Sequence, residues 1–119
     1  MKDFSFKCEK TCPITGAVRI LSGKWNAVLI YNLFQHDVCR FSDFANNFKN
    51  LSPRILALKL AELEDANIIT KRIYPVIPPK TEYRLTEFGK TLKPVIKAME
   101  DWGNYNNSVH QKAIDSQIS

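Results

Sequence analysis

The chain has 119 residues, 45% of them hydrophobic, and carries 17 Lys and Arg against 12 Asp and Glu, a formal net charge of +5. This length and apolar content predict one folded domain over residues 1–119, and the lack of any apolar run near ~18 residues predicts no membrane span. The polar first ten residues are unlike a secretory signal, so we expect a cytoplasmic protein. The positive charge is compatible with an anionic partner without requiring one.

The chain contains three cysteines, Cys8, Cys12 and Cys39, and two histidines, His36 and His110. An odd number of cysteines without a secretory signal favours reduced thiols over a disulfide framework. Their spacing matches no zinc finger or ribbon, so we expect no metal and no cofactor. A thiol enzyme would need a base and an oxyanion site near the thiol, and no motif supports one, so the sequence does not predict an enzyme.

Two helices are predicted at the start of the chain. Pro13 suits the first position of a helix with Cys12 at the N-cap, and this helix is expected to stop near Gly23. A second helix is expected from about Lys24, with apolar residues on two faces, which is typical of a central, buried helix. We expect Trp25 to pack in the core.

A helix-turn-helix is predicted next. After a very short strand within residues 38–41, Ser42 is expected to cap a short helix that ends near Phe48. Ser52 followed by Pro53 marks the start of a second helix over about residues 52–66. Its buried stripe consists of Leu56, Leu60 and Leu63, and Asn67 is expected to take a left-handed backbone conformation at its end.

A stiff β-hairpin is predicted over about residues 69–85, which include the stretch IYPVIPPKTEYRL. Pro75, Pro78 and Pro79 fix φ and remove backbone donors, so the tip should be extended and longer than two residues. A helix-turn-helix followed by a hairpin is the order of a winged helix. The sequence therefore predicts an α+β, mainly α fold in which this hairpin is the wing.

A long final helix is predicted from about residue 86, with Thr86 as its cap. Its apolar stripe consists of Phe88, Leu92, Val95, Ile96, Met99 and Trp102. Pro94 lies within this stripe, so we expect one helix with a bend. After Trp102 the chain is polar, and we expect its last residues to be frayed.

Seven segments between residues 12 and 103 form an ordered pattern: Cys12-Pro13-Ile14, Gly23-Lys24-Trp25, Arg40-Phe41-Ser42-Asp43-Phe44, Leu51-Ser52-Pro53-Arg54-Ile55-Leu56, Tyr74-Pro75-Val76-Ile77-Pro78-Pro79-Lys80-Thr81-Glu82-Tyr83, Leu85-Thr86-Glu87-Phe88-Gly89-Lys90 and Trp102-Gly103. The pattern resembles the HxlR-type transcription regulators, a branch of the MarR-like winged helices. The resemblance implies a homodimeric bacterial or archaeal repressor or activator that binds double-stranded DNA at a palindromic operator. Some members of that family sense electrophiles or oxidants through the cysteine of the Cys-Pro pair.

On this interpretation Arg54 is the strongest candidate for reading a base, because its guanidinium fits the guanine O6/N7 pair. Lys49 and Ser52 are expected to contact phosphates. The predicted DNA-contacting set is Lys49, Ser52, Pro53, Arg54, Ala57, Leu58, Lys71, Arg72, Lys80 and Arg84. Leu58 departs from the polar residue usual in the family; it either contacts a thymine methyl group or packs against a neighbouring element. A competing interpretation is a dimerising winged helix that binds protein and reads no DNA.

The dimer interface is predicted from the first and last helices and consists of Val18, Leu21, Phe88, Leu92, Val95, Ile96, Met99 and Trp102. Cys12 is the predicted redox-sensing residue, because a helix start and the nearby Lys7 and Lys10 favour its thiolate. The alternative is that Cys12 is a small buried apolar residue whose thiol never ionises. The sequence identifies no small-molecule effector.

Overall fold

The computed structural model describes residues 12–118, with side-chain surroundings for residues 12–113. Lys7, Lys10 and Cys8 lie outside these residues. In chain order the elements are α1 (Pro13–Leu21), α2 (Asn26–Gln35), β1 (Cys39–Arg40), α3 (Phe41–Asn47), α4 (Pro53–Asp65), β2 (Ile69–Tyr74), β3 (Lys80–Leu85), α5 (Glu87–Lys90) and α6 (Lys93–Ile118). This mainly helical order with one small antiparallel sheet confirms the predicted fold class.

The sheet has the strand order β1-β3-β2, with β3 in the centre. β2 and β3 pair antiparallel from Ile69 opposite Leu85 to Tyr74 opposite Lys80. Residues 75–79 separate the two strands, so the hairpin tip is longer than two residues, as the prolines predict. The two residues of β1 cover the other edge of β3 and lead directly into α3.

The core lies where α2, α3 and α4 meet one face of the sheet. Its fully buried side chains are Leu29, Ile30, Leu33, Phe44, Leu56, Leu60, Leu63, Ile68 and Ile69. Trp25 packs against this core and meets Phe48 edge to face, with ring centroids 5.9 Å apart. The predictions of a central second helix and of a core role for Trp25 are therefore confirmed, although α2 begins at Asn26, two residues later than expected.

The second helix of the helix-turn-helix, α4, begins as predicted, whereas the first helix, α3, begins at a different residue from the one predicted. Ser52 caps α4 by accepting a hydrogen bond from the Ile55 amide at 3.2 Å, and Asn67 has a φ of 64°. The prediction that Ser42 caps α3 is wrong, because the helix begins at Phe41 after Arg40. The Asp43 carboxylate instead accepts from the Arg40 amide at 2.9 Å, and a charged acceptor is the stronger partner for this donor.

The C-terminal helix differs from the prediction at both ends. A single helix bent at Pro94 is wrong: α5 ends at Lys90, and Pro94 is the second residue of α6, where its missing amide costs no helix hydrogen bond. The expected frayed tail is also wrong, since α6 continues to Ile118. No Gly or Pro follows Gly103, so nothing in the sequence ends the helix earlier.

Candidate nucleic-acid interface

The exposed face of α4 presents the residues predicted to meet DNA. Leu56, Leu60 and Leu63 face the core, and Arg54 and Leu58 are exposed on the opposite side, as the helical period predicts; Ala57 is exposed on the flank between them. Leu58 is 52% exposed, so within this chain it does not pack away against a neighbouring element. An apolar side chain therefore lies on the outward face of the helix.

The other residues predicted to contact DNA through this helix lie at or just before its start. Lys49, Ser52 and Pro53 are all exposed beside Arg54. Within residues 12–113, Arg54 has neither an ion pair nor a side-chain hydrogen bond, so its guanidinium has all its donors available. The unpaired amides at a helix N-terminus also favour an anion such as a phosphate.

Strand register separates the four predicted wing cations. Tyr83 is buried and pairs with Cys39 and Lys71, so Lys71 lies on the same sheet face as the core. The opposite face carries Arg72, Lys80 and Arg84 because they alternate with these residues. Three of the predicted cations thus share the outer face of the wing, and Lys71 does not.

Arg40 adds a fourth cation to that outer face. It pairs with Glu82 across β1 and β3, and Glu82 pairs with Arg72 on the other side. The sequence does not reveal Arg40 as part of this face, because a two-residue strand has too little pattern to identify its partner. The sequence offered two signals, its position after Cys39 where a short strand was expected and its place at the start of the segment Arg40-Phe41-Ser42-Asp43-Phe44.

Tyr74 holds the outer face of the wing together. The Arg72 guanidinium carbon lies 4.9 Å and the Lys80 ammonium 5.5 Å from the centre of its ring. The Tyr74 hydroxyl donates to the Glu82 carboxylate at 3.0 Å, and Arg84 donates to the same oxygen at 3.2 Å. The Tyr74 hydrogen bond, followed by Arg84 and Lys80, lowers the pKa of Glu82, so this carboxylate stays ionised among the cations.

The two described cysteines occupy different surroundings. Cys12 is buried at the N-cap of α1. Cys39 is buried in β1, where the Asn32 side-chain amide donates to its sulfur at 3.2 Å. Burial, with a contribution from Asp43, raises the pKa of the Cys39 thiol, which disfavours its reactive thiolate.

The predicted interface residues divide into exposed and buried groups. Val18, Phe88, Val95, Met99 and Trp102 are exposed, and Trp102 is the most exposed of them at 65%. Leu21 and Leu92 are half-buried against the core of the chain, and Ile96 is only 5% exposed. Ile96 is therefore a core residue of its own chain, while the exposed apolar stripe of α6 continues beyond the predicted set to Tyr105 and Val109.

A capped, outward-facing second helix beside a cationic hairpin defines a winged helix-turn-helix domain. A family profile described as HxlR-like helix-turn-helix matches residues 20–111. The chain belongs to this family, whose members are regulators and not enzymes. No helix among residues 12–118 has the length and apolar content to cross a membrane.

Proteins similar to this chain are also named as regulators. An uncharacterised HTH-type transcriptional regulator of Bacillus subtilis (strain 168), YdeP, is 42% identical over 101 residues, which cover 85% of this chain and 78% of YdeP. The redox regulator HypR in its reduced form superposes with a TM-score of 0.78 at 36% identity, over 84% of this chain and 98% of HypR. The reduced regulator YodB from B. subtilis gives a TM-score of 0.68 at 31% identity, over 80% and 93% of the two chains.

Proposed function

We propose that the protein is a sequence-specific, homodimeric DNA-binding regulator that works in the cytoplasm. The observation that carries this proposal is the outward face of α4, where Arg54 is exposed and has no ion pair in the described part of the chain. Arg54 is suited to guanine, and the cations of Lys49 and of the outer wing face supply phosphate contacts on either side. Neither a base-reading helix nor a cationic wing is needed by a module that binds only protein.

Two-fold symmetry would give each dimer two copies of α4. Two such helices enter successive major grooves of one DNA face when they lie about 34 Å apart, which makes the operator palindromic. The exposed stripe of α6 and the exposed Val18 of α1 supply a self-complementary apolar surface for this pairing.

The test starts from genomic fragments that the protein selects, from which one duplex and its scrambled counterpart are made. Fluorescence anisotropy should give a much lower Kd for the selected duplex, and log Kd should rise steeply with log salt because neutralised phosphates release counterions. Equal, weak binding of both duplexes at every salt concentration would contradict the proposal and favour the protein-interaction module.

We further propose that oxidants or electrophiles act on this regulator through Cys12. HypR, a redox regulator, has been solved in oxidized and reduced forms, and both superpose on this chain. Cys12 lies at the start of α1, where the helix dipole favours a thiolate and burial of the side chain opposes it, and α1 carries part of the proposed dimer surface. A modified thiol at this position would change the packing of α1 and with it the relative placement of the two α4 helices.

A further inference from the structure

The tip of the wing, residues 75–79, presents an apolar side chain that its own chain leaves uncovered. Ile77 is 101% exposed, which is as accessible as in an isolated peptide, and the neighbouring Val76 is 50% exposed. Single exposed apolar residues are common on protein surfaces, so the exposure alone assigns Ile77 no role. The residues on either side of the tip indicate what this side chain meets.

The tip is a stiff support for Ile77. Pro75, Pro78 and Pro79 fix φ at three of its five residues. The Val76 amide also donates to the Tyr74 carbonyl oxygen at 2.9 Å, which holds the turn to the end of β2. A side chain carried by such a turn is already ordered, so little conformational entropy is lost when it enters a binding partner.

The strand ends that carry the tip are cationic. Arg72 and Lys80 lie over the ring of Tyr74, and neither forms an ion pair with any residue between 12 and 113. Their charges are therefore available to an anionic partner that the tip touches. A partner that matches both features has anionic groups on its outside and an apolar interior that a side chain can enter. Duplex DNA, with phosphates outside and stacked bases inside, has both.

The size of the apolar tip also favours DNA over a protein partner. A specific protein interface buries about 800 Å² on each side, far more than one isoleucine and one valine can supply. A single base step, in contrast, is filled by one side chain, and proteins that kink DNA insert Phe, Leu, Ile, Met or Pro between bases from the minor groove. Ile77 and Pro78 place two of these residue types side by side in the exposed turn.

We propose that Ile77 is a wedge that enters the minor groove in each half-site, partly unstacks one base step and kinks the bound DNA. This inference rests on the proposed function, because α4 must first hold the duplex, and it adds a deformation of the DNA that neither Arg54 nor the wing cations require. Burial of a branched side chain offsets an unstacking cost of similar size. Pyrimidine–purine steps open most easily, so the wedge adds a sequence preference at a step that no hydrogen bond reads.

Permanganate oxidation and end-to-end fluorescence energy transfer test the wedge on the selected duplex, with the full chain at saturating concentration. Permanganate attacks the 5,6 double bond of a thymine whose ring face is uncovered, and the easily opened steps, TA and CA/TG, all contain a thymine. We expect one thymine on each side of the operator centre to react at least about fivefold faster in the complex than in free DNA. The labelled ends should also approach each other, because such kinks bend the duplex toward the major groove.

Ile77→Ala should abolish both signals at saturation, and Ile77→Leu, which keeps a wedge of similar volume, should retain them. Ile73→Ala is the matched control, because it removes the same atoms from a 61% exposed isoleucine within β2 and should leave both signals intact. Thermal melting establishes that all three variants stay folded, which is expected at exposed positions.

The outcomes separate the wedge from the proposed function. A selectively bound duplex without a fast-reacting thymine would overturn the wedge while the proposed function stands. Signals that survive Ile77→Ala, or that Ile73→Ala removes equally, would overturn it in the same way. Equal, weak binding of the selected and scrambled duplexes would instead overturn the proposed function, and the wedge with it.

Discussion

Gly89 of α5 packs directly against the backbone of Ile68, the residue before β2. A Cβ at position 89 would overlap the Ile68 carbonyl oxygen and lie 3.0 Å from the carbonyl carbon. Thr86 also binds the segment before β2. Its amide donates to the Ile68 carbonyl oxygen at 2.9 Å, and its hydroxyl donates to the Asn67 carbonyl oxygen at 2.7 Å. The start of the wing and the segment leading to α6 are therefore held together by backbone contact.

Gly89→Ala should destabilise the fold by about 2–3 kcal/mol, because the contacting atoms are backbone atoms that cannot turn aside as a flexible side chain would. Urea denaturation measures the loss in the free energy of unfolding. Gly16→Ala is the matched control, since a Cβ there meets nothing within 4 Å and an alanine should stabilise α1 by ~0.5–1 kcal/mol. Equal effects of the two substitutions would show that the contact with Ile68 is unimportant.

Arg54→Ala should weaken binding to the selected operator by ~1–3 kcal/mol and relax the preference at one position of each half-site. Lys80→Ala should instead weaken binding to selected and scrambled duplexes alike and flatten the salt dependence, because a phosphate contact carries no sequence information. Anisotropy titrations of both variants on both duplexes measure these effects. If Arg54→Ala weakened the binding of the selected and scrambled duplexes equally, Arg54 would not be a base-reading residue.

Met99→Glu should dissociate the proposed dimer. Met99 lies in the middle of the exposed stripe of α6, and a carboxylate buried there without a partner is costly, so we expect the dimer Kd to rise at least roughly a hundredfold. Ser108→Glu is the control, because it adds the same charge on the opposite side of α6, about 180° away. Sedimentation equilibrium measures the dimer Kd of both variants. A dimer that persists after Met99→Glu, or that both changes weaken equally, would contradict this interface.

Cys12 should be the thiol that changes DNA binding after treatment with a quinone or a peroxide, so Cys12→Ser should abolish the response. Cys39→Ser should leave it unchanged, because burial raises the pKa of Cys39 and keeps it protonated near neutral pH. Anisotropy before and after treatment measures the response, and mass spectrometry locates the adduct. A response that survives Cys12→Ser would assign the signal to another residue.

Tyr31 links α2 to α6 through Glu100, and its loss should change the stability of the fold at acid pH. The Tyr31 hydrogen bond, with Lys97, lowers the pKa of Glu100 below 4.5. A lowered carboxyl pKa stabilises the fold above the ordinary pKa, and this stabilisation is lost as the pH falls through the folded value. Tyr31→Phe should therefore reduce the urea midpoint at pH 7 and make its decline below about pH 4.5 shallower.

The control for Tyr31 is Tyr105→Phe, which removes the hydroxyl of an exposed tyrosine on α6. It should leave the decline of the urea midpoint with acid unchanged, because Glu100 keeps its hydrogen bond from Tyr31 in this variant. If the two variants have the same acid profile, the hydrogen bond to Glu100 contributes nothing measurable to the fold.

The sequence predicted those structural elements that are determined by residues close together in the chain. Ser52-Pro53 begins α4 and Asn67 follows its end because capping, proline geometry and left-handed backbone depend on neighbours in sequence. The outward direction of Arg54 and Leu58 followed from the helical period alone.

What sequence could not predict depended on contacts between distant segments. The apolar stripe from Phe88 to Trp102 is unbroken in sequence, so it predicted one helix where the structure has two, α5 and α6. In the structure, Gly89 of α5 packs against the backbone of Ile68. The same stripe could not distinguish Ile96, which faces the core of its own chain, from the exposed Met99. Arg40 joined the wing cations only through the register of β1 with β3.

If α4 reads DNA as proposed, the exposed Leu58 would make that contact sensitive to the chemical state of cytosine. On DNA held by α4, a leucine side chain has no hydrogen-bonding group to offer a base, and the apolar feature of the major groove is the 5-methyl group of thymine. Cytosine methylated at carbon 5 presents the same group at the same edge. An apolar contact made by this one side chain would therefore respond to enzymatic methylation of an operator, and the methylation state of the DNA would enter the regulation without any further sensing residue.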